Sequence, residues 1–289
     1  MAEYSNLLLK KLNSKIKCKH IYLSAQLRTN APEFTLYGTL SPGKFDIVKD
    51  GLHMNKSTNI GFNIAKYTMA IAIFGFVVYA IVALLAVGAE PSTTFSYFTI
   101  QSNILVALLA MFLVISDIVY HKKKIEISSK LPFSIILIII LNIFLTGLIY
   151  LTVLLPISLQ DGTMIMGSTQ FANLVLHGFV PILSVLLFIF FIKKRAFKFS
   201  FSWVFMIYPV VYWVFTLLRS LTGIKFMTDS LYPYFFLDPL YNNQGFGIVL
   251  VWVFALLAIF YLAGLLLIYV SNKLHKKELQ KTQTSAQSK

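Results

Sequence analysis

Acidic side chains, cysteine and charge in general are scarce in this sequence. Only 11 of 289 residues are Asp or Glu, and 12% are charged, about half the roughly 25% of a soluble domain. That composition excludes an ordinary soluble enzyme, a disordered protein and a nucleic-acid-binding module. The single cysteine, Cys18, can make no internal disulfide and no thiolate metal site. No phosphate-binding glycine loop, HExxH, GxSxG or CxxC is present, so the chemistries those motifs carry have no support. Of five histidines, His20 and His53 lie near the N-terminus, His121 in a basic connection and His275 in the tail. Only His177 stands inside an apolar run, and one histidine without carboxylate or thiolate partners holds no metal. No cofactor or metal is expected.

What the chain does have is apolar length: 57% of its residues are hydrophobic and its mean hydropathy is +0.75. Six runs exceed the ~18 residues that mark a membrane helix. They are Phe62 to Gly88, Tyr97 to Tyr120, Leu131 to Pro156, Phe171 to Ile192, Ser200 to Arg219 and Phe246 to Val270. The net charge of +14 is distributed between these runs. Lysines crowd the segment before the first run, the connections holding Lys122 to Lys124 and Lys193 to Lys198, and the tail. The other three connections are poor in cations, with Glu90, Asp161, and the set Lys225, Asp229 and Asp238. The positive-inside rule then places both termini and the basic loops in the cytoplasm. The expected fold is an all-α, six-helix bundle, multi-pass in the plasma membrane, with the bilayer as its main partner.

Three regions follow: a basic arm at 1–61, a transmembrane domain at 62–271 and a polar tail at 272–289, disordered beyond Leu274. The arm has two readings. It is a basic segment near anionic lipid, or Met54 is the natural start. No internal repeat supports an inverted-repeat transporter.

Polar residues inside the runs mark where chemistry can sit. His177 lies about 9 Å below the start of its helix at ~1.5 Å rise per residue. An imidazole at that depth needs a partner or a polar cavity. Asn173 is one turn away, and Pro181 cannot bond the carbonyl of residue 177, so a kink is expected there. Gly178 adds backbone room. On the second run, Ser96, Thr99 and Asn103 share one helical face at the same depth. The third carries Asn142, Thr146 and Tyr150, and the fifth Tyr208, Tyr212, Thr216 and Arg219. Two readings stand: interhelical hydrogen bonding as structural glue, or a pocket toward the outer leaflet lined by Ser96, Asn103, Asn173, Tyr212 and Arg219. The aromatic connection before the last run is expected to fold down as a lid or interfacial segment, with Tyr232, Tyr234 and Tyr241 at headgroup level. Asp238 before Pro239 reads as a turn or cap. Asp117 is expected to pair with Lys122 to Lys124 at the interface.

Three stretches carry a resemblance. FSYFTIQSN at Phe95 to Asn103, NLVLHGFVP at Asn173 to Pro181 and YPYFFLDP at Tyr232 to Pro239 together resemble the bacterial Pr6Pr family of integral membrane proteins. More distantly, the layout is similar to the androgen-induced, FAR-17a-like membrane hydrolases of fatty-acyl esters. Those use an intramembrane threonine as nucleophile and a histidine on a later helix. The resemblance puts Thr99 of FTIQSN in the first role and His177 of NLVLHGFVP in the second. Gly178 departs from it, since a small polar residue is expected after the histidine. A threonine hydroxyl is a weak nucleophile that needs an adjacent base, and a neutral imidazole suits that role. Asn103 or Asn173 is the expected oxyanion donor, and no third group orients His177. The leading expectation is a membrane-embedded hydrolase of lipid or fatty-acyl esters. The rival is a non-enzymatic lipid-binding or transport protein using the same pocket.

Overall fold

A backbone surrounded by apolar side chains, with no water to bond its N–H and C=O groups, satisfies them internally as helix. The computed structural model describes residues 60–125, 127–160, 168–226 and 229–287. The basic arm up to residue 59, with Cys18, His20 and His53, lies outside them, as does Asp161. Among the described residues every regular element is helical. Six helices are long and apolar enough to cross a membrane: α1 (Ile60–Ala86), α2 (Phe98–Lys123), α3 (Phe133–Ile157), α4 (Gln170–Phe191), α5 (Phe199–Ser220) and α6, whose apolar part opens Gly245–Gln280. The expected all-α bundle of six spans is the architecture found.

α1 packs against α2 and α4, and α3 packs against the same two helices. α5 and α6 pair with each other, and α6 joins the rest through α3. Burial follows this arrangement. α3 and α4 bury half or more of their apolar window and α2 44%, against 22% for α1, α5 and α6. The polar stripes of α2, α3 and α4 therefore face protein, while the outer helices present Leu, Ile, Val and Phe outward.

Two prolines shape the interior. Leu155 donates its N–H to Tyr150 O, and Val180 donates to Val175 O, each five residues back. Both wide turns end on the residue before a proline, Pro156 or Pro181. Proline lacks an N–H and its ring crowds the carbonyl four residues earlier, and widening the turn relieves both problems. The kink expected at Pro181 thus takes the form of a π-helical turn that contains His177. Gly147 lets α3 approach this turn. A Cβ there would sit 3.0 Å from His177 O and 3.0 Å from Pro181 Cβ.

Two expectations need correction. Asp117 pairs with Lys66 of α1, a buried lysine, and accepts a hydrogen bond from Tyr67 at 3.2 Å. The nearby lysines at 122–124 sit at the exposed end of α2, so the buried cation takes the carboxylate. The tail is also more ordered than its polarity suggests, since α6 continues helically to Gln287. Side chains on its extension bond the connection after α4. Asn272 accepts from Phe197 N at 2.8 Å and donates to Phe197 O at 2.9 Å, and His275 Nδ1 lies 3.0 Å from Lys194 O. Lys194 in turn is buried and donates to the carbonyls of Ile189 and Ile192, which end α4. These bonds and the Lys, Glu and Gln content of the extension favour helix.

Candidate active site

Thr99 is the second residue of α2, and His177 lies in the π-helical turn of α4. Their side chains meet, with Thr99 Oγ1 3.0 Å from His177 Nε2. Both residues are buried, at 7% and 8% exposure. His177 Nδ1 lies 2.9 Å from the backbone carbonyl of Asn173. A carbonyl only accepts, so the proton sits on Nδ1. In the neutral imidazole this leaves Nε2 as an acceptor aimed at the threonine hydroxyl. The polarity is therefore Thr99 O–H to His177 Nε2, and Nδ1–H to Asn173 O. Tyr150, at the start of the other wide turn, stacks on the imidazole with centroids 4.1 Å apart and planes 20° apart. The ring is thus fixed by a hydrogen bond at one nitrogen and by packing on one face.

Asn103, one turn after Thr99, ties the two helices together. Its Nδ2 donates to Thr99 O at 2.8 Å and to Leu176 O at 3.1 Å. Both amide hydrogens are committed, so Asn103 braces the pair and has none left for an oxyanion. Asn173 contributes its main-chain carbonyl, so the group that orients His177 is backbone. Ser102 Oγ lies 3.0 Å from Thr99 O and 2.8 Å from Thr146 Oγ1, linking α2 to α3.

Thr99 also borders a cavity that encloses about 650 Å³ of empty space, its open mouth included. Its wall is almost wholly apolar. Ile149, Leu154, Val253, Leu256 and Phe260 contribute, with Thr99, Tyr212 and Tyr234 as polar points. Of the pocket residues expected from sequence, Tyr212 lines it. Asn103 and Asn173 do not line it; they bond the backbone of Thr99 and Leu176 and the imidazole of His177. Ser96 and Arg219 form a separate buried link: Arg219 Nε donates to Ser96 Oγ at 2.9 Å, and Nη1 donates to Ile224 O at 2.9 Å. The guanidinium lies 4.0 Å from the Phe226 ring centroid, where its charge meets the ring face.

The aromatic connection before α6 supplies what sequence reasoning missed. Tyr234 points into the bundle. Its hydroxyl lies 3.4 Å from both Thr99 N and Thr99 Oγ1. Tyr212 Oη accepts from Phe98 N at 3.0 Å and donates to Ser96 O at 3.0 Å. The first N–H groups of a helix have no partner within it, and on α2 two tyrosine hydroxyls serve them. Tyr232 is buried and Tyr241 exposed. Asp238 anchors the segment by accepting from Ser230 Oγ at 2.6 Å and Leu240 N at 2.9 Å, which is the turn role its position implies. The only sequence sign of Tyr234 was its place in the YPYFFLDP stretch.

Among the described residues no cluster of His, Cys, Asp and Glu forms a metal site. No protein-family model, curated protein or solved structure matches the chain.

Proposed function

We propose that the protein is a membrane-embedded hydrolase of lipid or fatty-acyl esters, with Thr99 as nucleophile and His177 as general base. The observation that carries this reading is the 3.0 Å contact between Thr99 Oγ1 and His177 Nε2, with the imidazole proton directed to Asn173 O. A hydroxyl bonded to an oriented, buried base is the arrangement nucleophilic catalysis requires. The apolar cavity that Thr99 borders suits a hydrocarbon chain and offers no charged group to a polar substrate. The more distant resemblance to the FAR-17a-like membrane hydrolases points the same way. With the basic loops in the cytoplasm, the site falls in the outer half of the plasma membrane, and a lipid reaches it from the outer leaflet.

An apolar cavity by itself would serve a lipid carrier equally well; the threonine–histidine contact is what favours catalysis. The test is labelling of the purified, folded protein with a fluorophosphonate ester, comparing wild type with Thr99→Ala and His177→Ala. The expected result is labelling of wild type that is lost in both variants. Folded wild type that takes no label would overturn the hydrolase reading in favour of lipid binding or transport.

A further inference from the structure

Attack on an ester turns its carbonyl oxygen into an oxyanion, and that charge needs donors aimed at it. Asn103 has none left, because both Nδ2 hydrogens go to carbonyls. The other donors close to Thr99 Oγ1 are the Thr99 N–H and the Tyr234 hydroxyl, which lie 3.4 Å from each other.

The proton inventory gives the tyrosine its direction. Asn173 O takes the Nδ1 proton, so the threonine proton goes to Nε2. Thr99 Oγ1 is then the acceptor in its 3.4 Å contact with Tyr234, and the phenol donates. Burial raises the Tyr234 phenol above its ordinary value, so the O–H is intact at neutral pH. The ring that carries it is held on several sides. It lies parallel to Phe236 at 5.1 Å and edge-on to Tyr97 at 5.9 Å, and Tyr97 packs on Phe226, the ring beneath the Arg219 guanidinium.

We propose that Tyr234 is a catalytic residue: its O–H, with the Thr99 N–H, holds the oxyanion of the tetrahedral intermediate. The proposal rests on the hydrolase reading above. Two donors 3.4 Å apart leave room for one oxygen about 2.7–3.1 Å from both, the range an oxyanion hole uses. The sequence of bonds is closed. Thr99 Oγ bonds to the acyl carbon, its proton passes to His177 Nε2, and the C=O pair moves onto the oxygen. That oxygen enters between Tyr234 and the Thr99 N–H and takes both hydrogen bonds. The pair returns as the C–O bond to the alcohol breaks, and the alkoxide takes the proton from Nε2. Water then attacks the acyl-threonine as His177 Nε2 accepts its proton; the acyl–Oγ bond breaks, the proton passes from Nε2 to Thr99 Oγ, and the acid is released. The connection before α6 therefore completes the site as well as covering it.

The test uses the full chain in nanodiscs with 4-nitrophenyl octanoate. Tyr234→Phe keeps the ring and removes the donor. It is expected to lower kcat about 10²–10³-fold, the usual cost of one oxyanion donor, with KM within about twofold, as for an interaction made only in the transition state. If Thr99→Ala is inactive while Tyr234→Phe keeps kcat within about threefold of wild type, the tyrosine role falls and the hydrolase reading stands. If wild type does not hydrolyse the ester and takes no fluorophosphonate, the hydrolase reading falls and takes the tyrosine role with it. A structure of the wild-type phosphonate adduct on Thr99 checks the same point without a variant. A phosphoryl oxygen within about 3.1 Å of Tyr234 Oη supports the role, and one turned away from the tyrosine overturns it.

Discussion

Gly147 offers a perturbation whose size can be worked out. A Cβ at this position would lie 3.0 Å from His177 O, 3.0 Å from Pro181 Cβ and 3.2 Å from Pro181 Cγ. Neither a backbone carbonyl nor a proline ring can swing aside. Ordinary contact starts at 3.4 Å, so α3 and α4 must separate by about 0.4 Å to admit the methyl. Overpacking of this kind costs about 1–3 kcal/mol. Alanine recovers only about 0.5–1 kcal/mol through its helix preference, so Gly147→Ala should be net destabilising. One of the displaced atoms is the carbonyl oxygen of His177 itself, and the others belong to Pro181 at the end of its turn. Since about 1 Å of misplacement costs about 10²-fold in rate, 0.4 Å should cost about five- to tenfold. The assay is the second-order rate of fluorophosphonate labelling, measured beside the thermal midpoint. Gly178→Ala is the control. A Cβ there meets only Leu174 Cδ1 at an ordinary 3.4 Å, so helix preference should leave that variant as stable as wild type or slightly more so. If Gly147→Ala labelled at the wild-type rate with an unchanged midpoint, the close approach of α3 to the π-helical turn would not be what positions the base.

Other consequences are as direct. Asn103→Leu removes one hydrogen bond within α2, to Thr99 O, and one from α2 to α4, to Leu176 O. At about 0.6 kcal/mol each, and at most about 1.7, the loss should be about 1–3 kcal/mol, seen as a lower midpoint with slower labelling. Lys66→Leu strands Asp117 without its ion partner and should cost about 3–5 kcal/mol, whereas Lys66→Leu combined with Asp117→Leu should cost far less; a double-variant loss equal to the sum of the two single losses would show that the pair is not coupled. Val253→Trp fills the cavity wall and should depress hydrolysis of 4-nitrophenyl octanoate more than that of the acetate. Equal depression would place the acyl chain elsewhere. Lys194→Met removes the donor to the Ile189 and Ile192 carbonyls that end α4. It should destabilise by about 1–3 kcal/mol, the usual cost of buried acceptors left unpaired.

The six helices were readable from local information alone. Apolar runs of membrane-crossing length permit only helix, and such information needs no knowledge of what packs on what. His177 was readable as the one histidine inside an apolar run and Thr99 as part of a polar stripe, while their roles as base and nucleophile came from the resemblance. What sequence could not supply is everything that depends on approach between distant parts of the chain. Thr99 and His177 are 78 residues apart, and Gly147 and Pro181 shape the turn that carries the imidazole to the threonine. The orienting group is a main-chain carbonyl, which every residue has, so no residue type announces it. Lys66 was hidden by the apolar run around it, and only the packing of α1 on α2 pairs it with Asp117. Tyr234 is 135 residues from Thr99, in a segment whose tyrosines read equally well as interfacial anchors. Which way such a ring turns is decided by the tertiary surface beneath it. Here that surface is the start of α2, whose free N–H groups draw in the hydroxyls of Tyr212 and Tyr234.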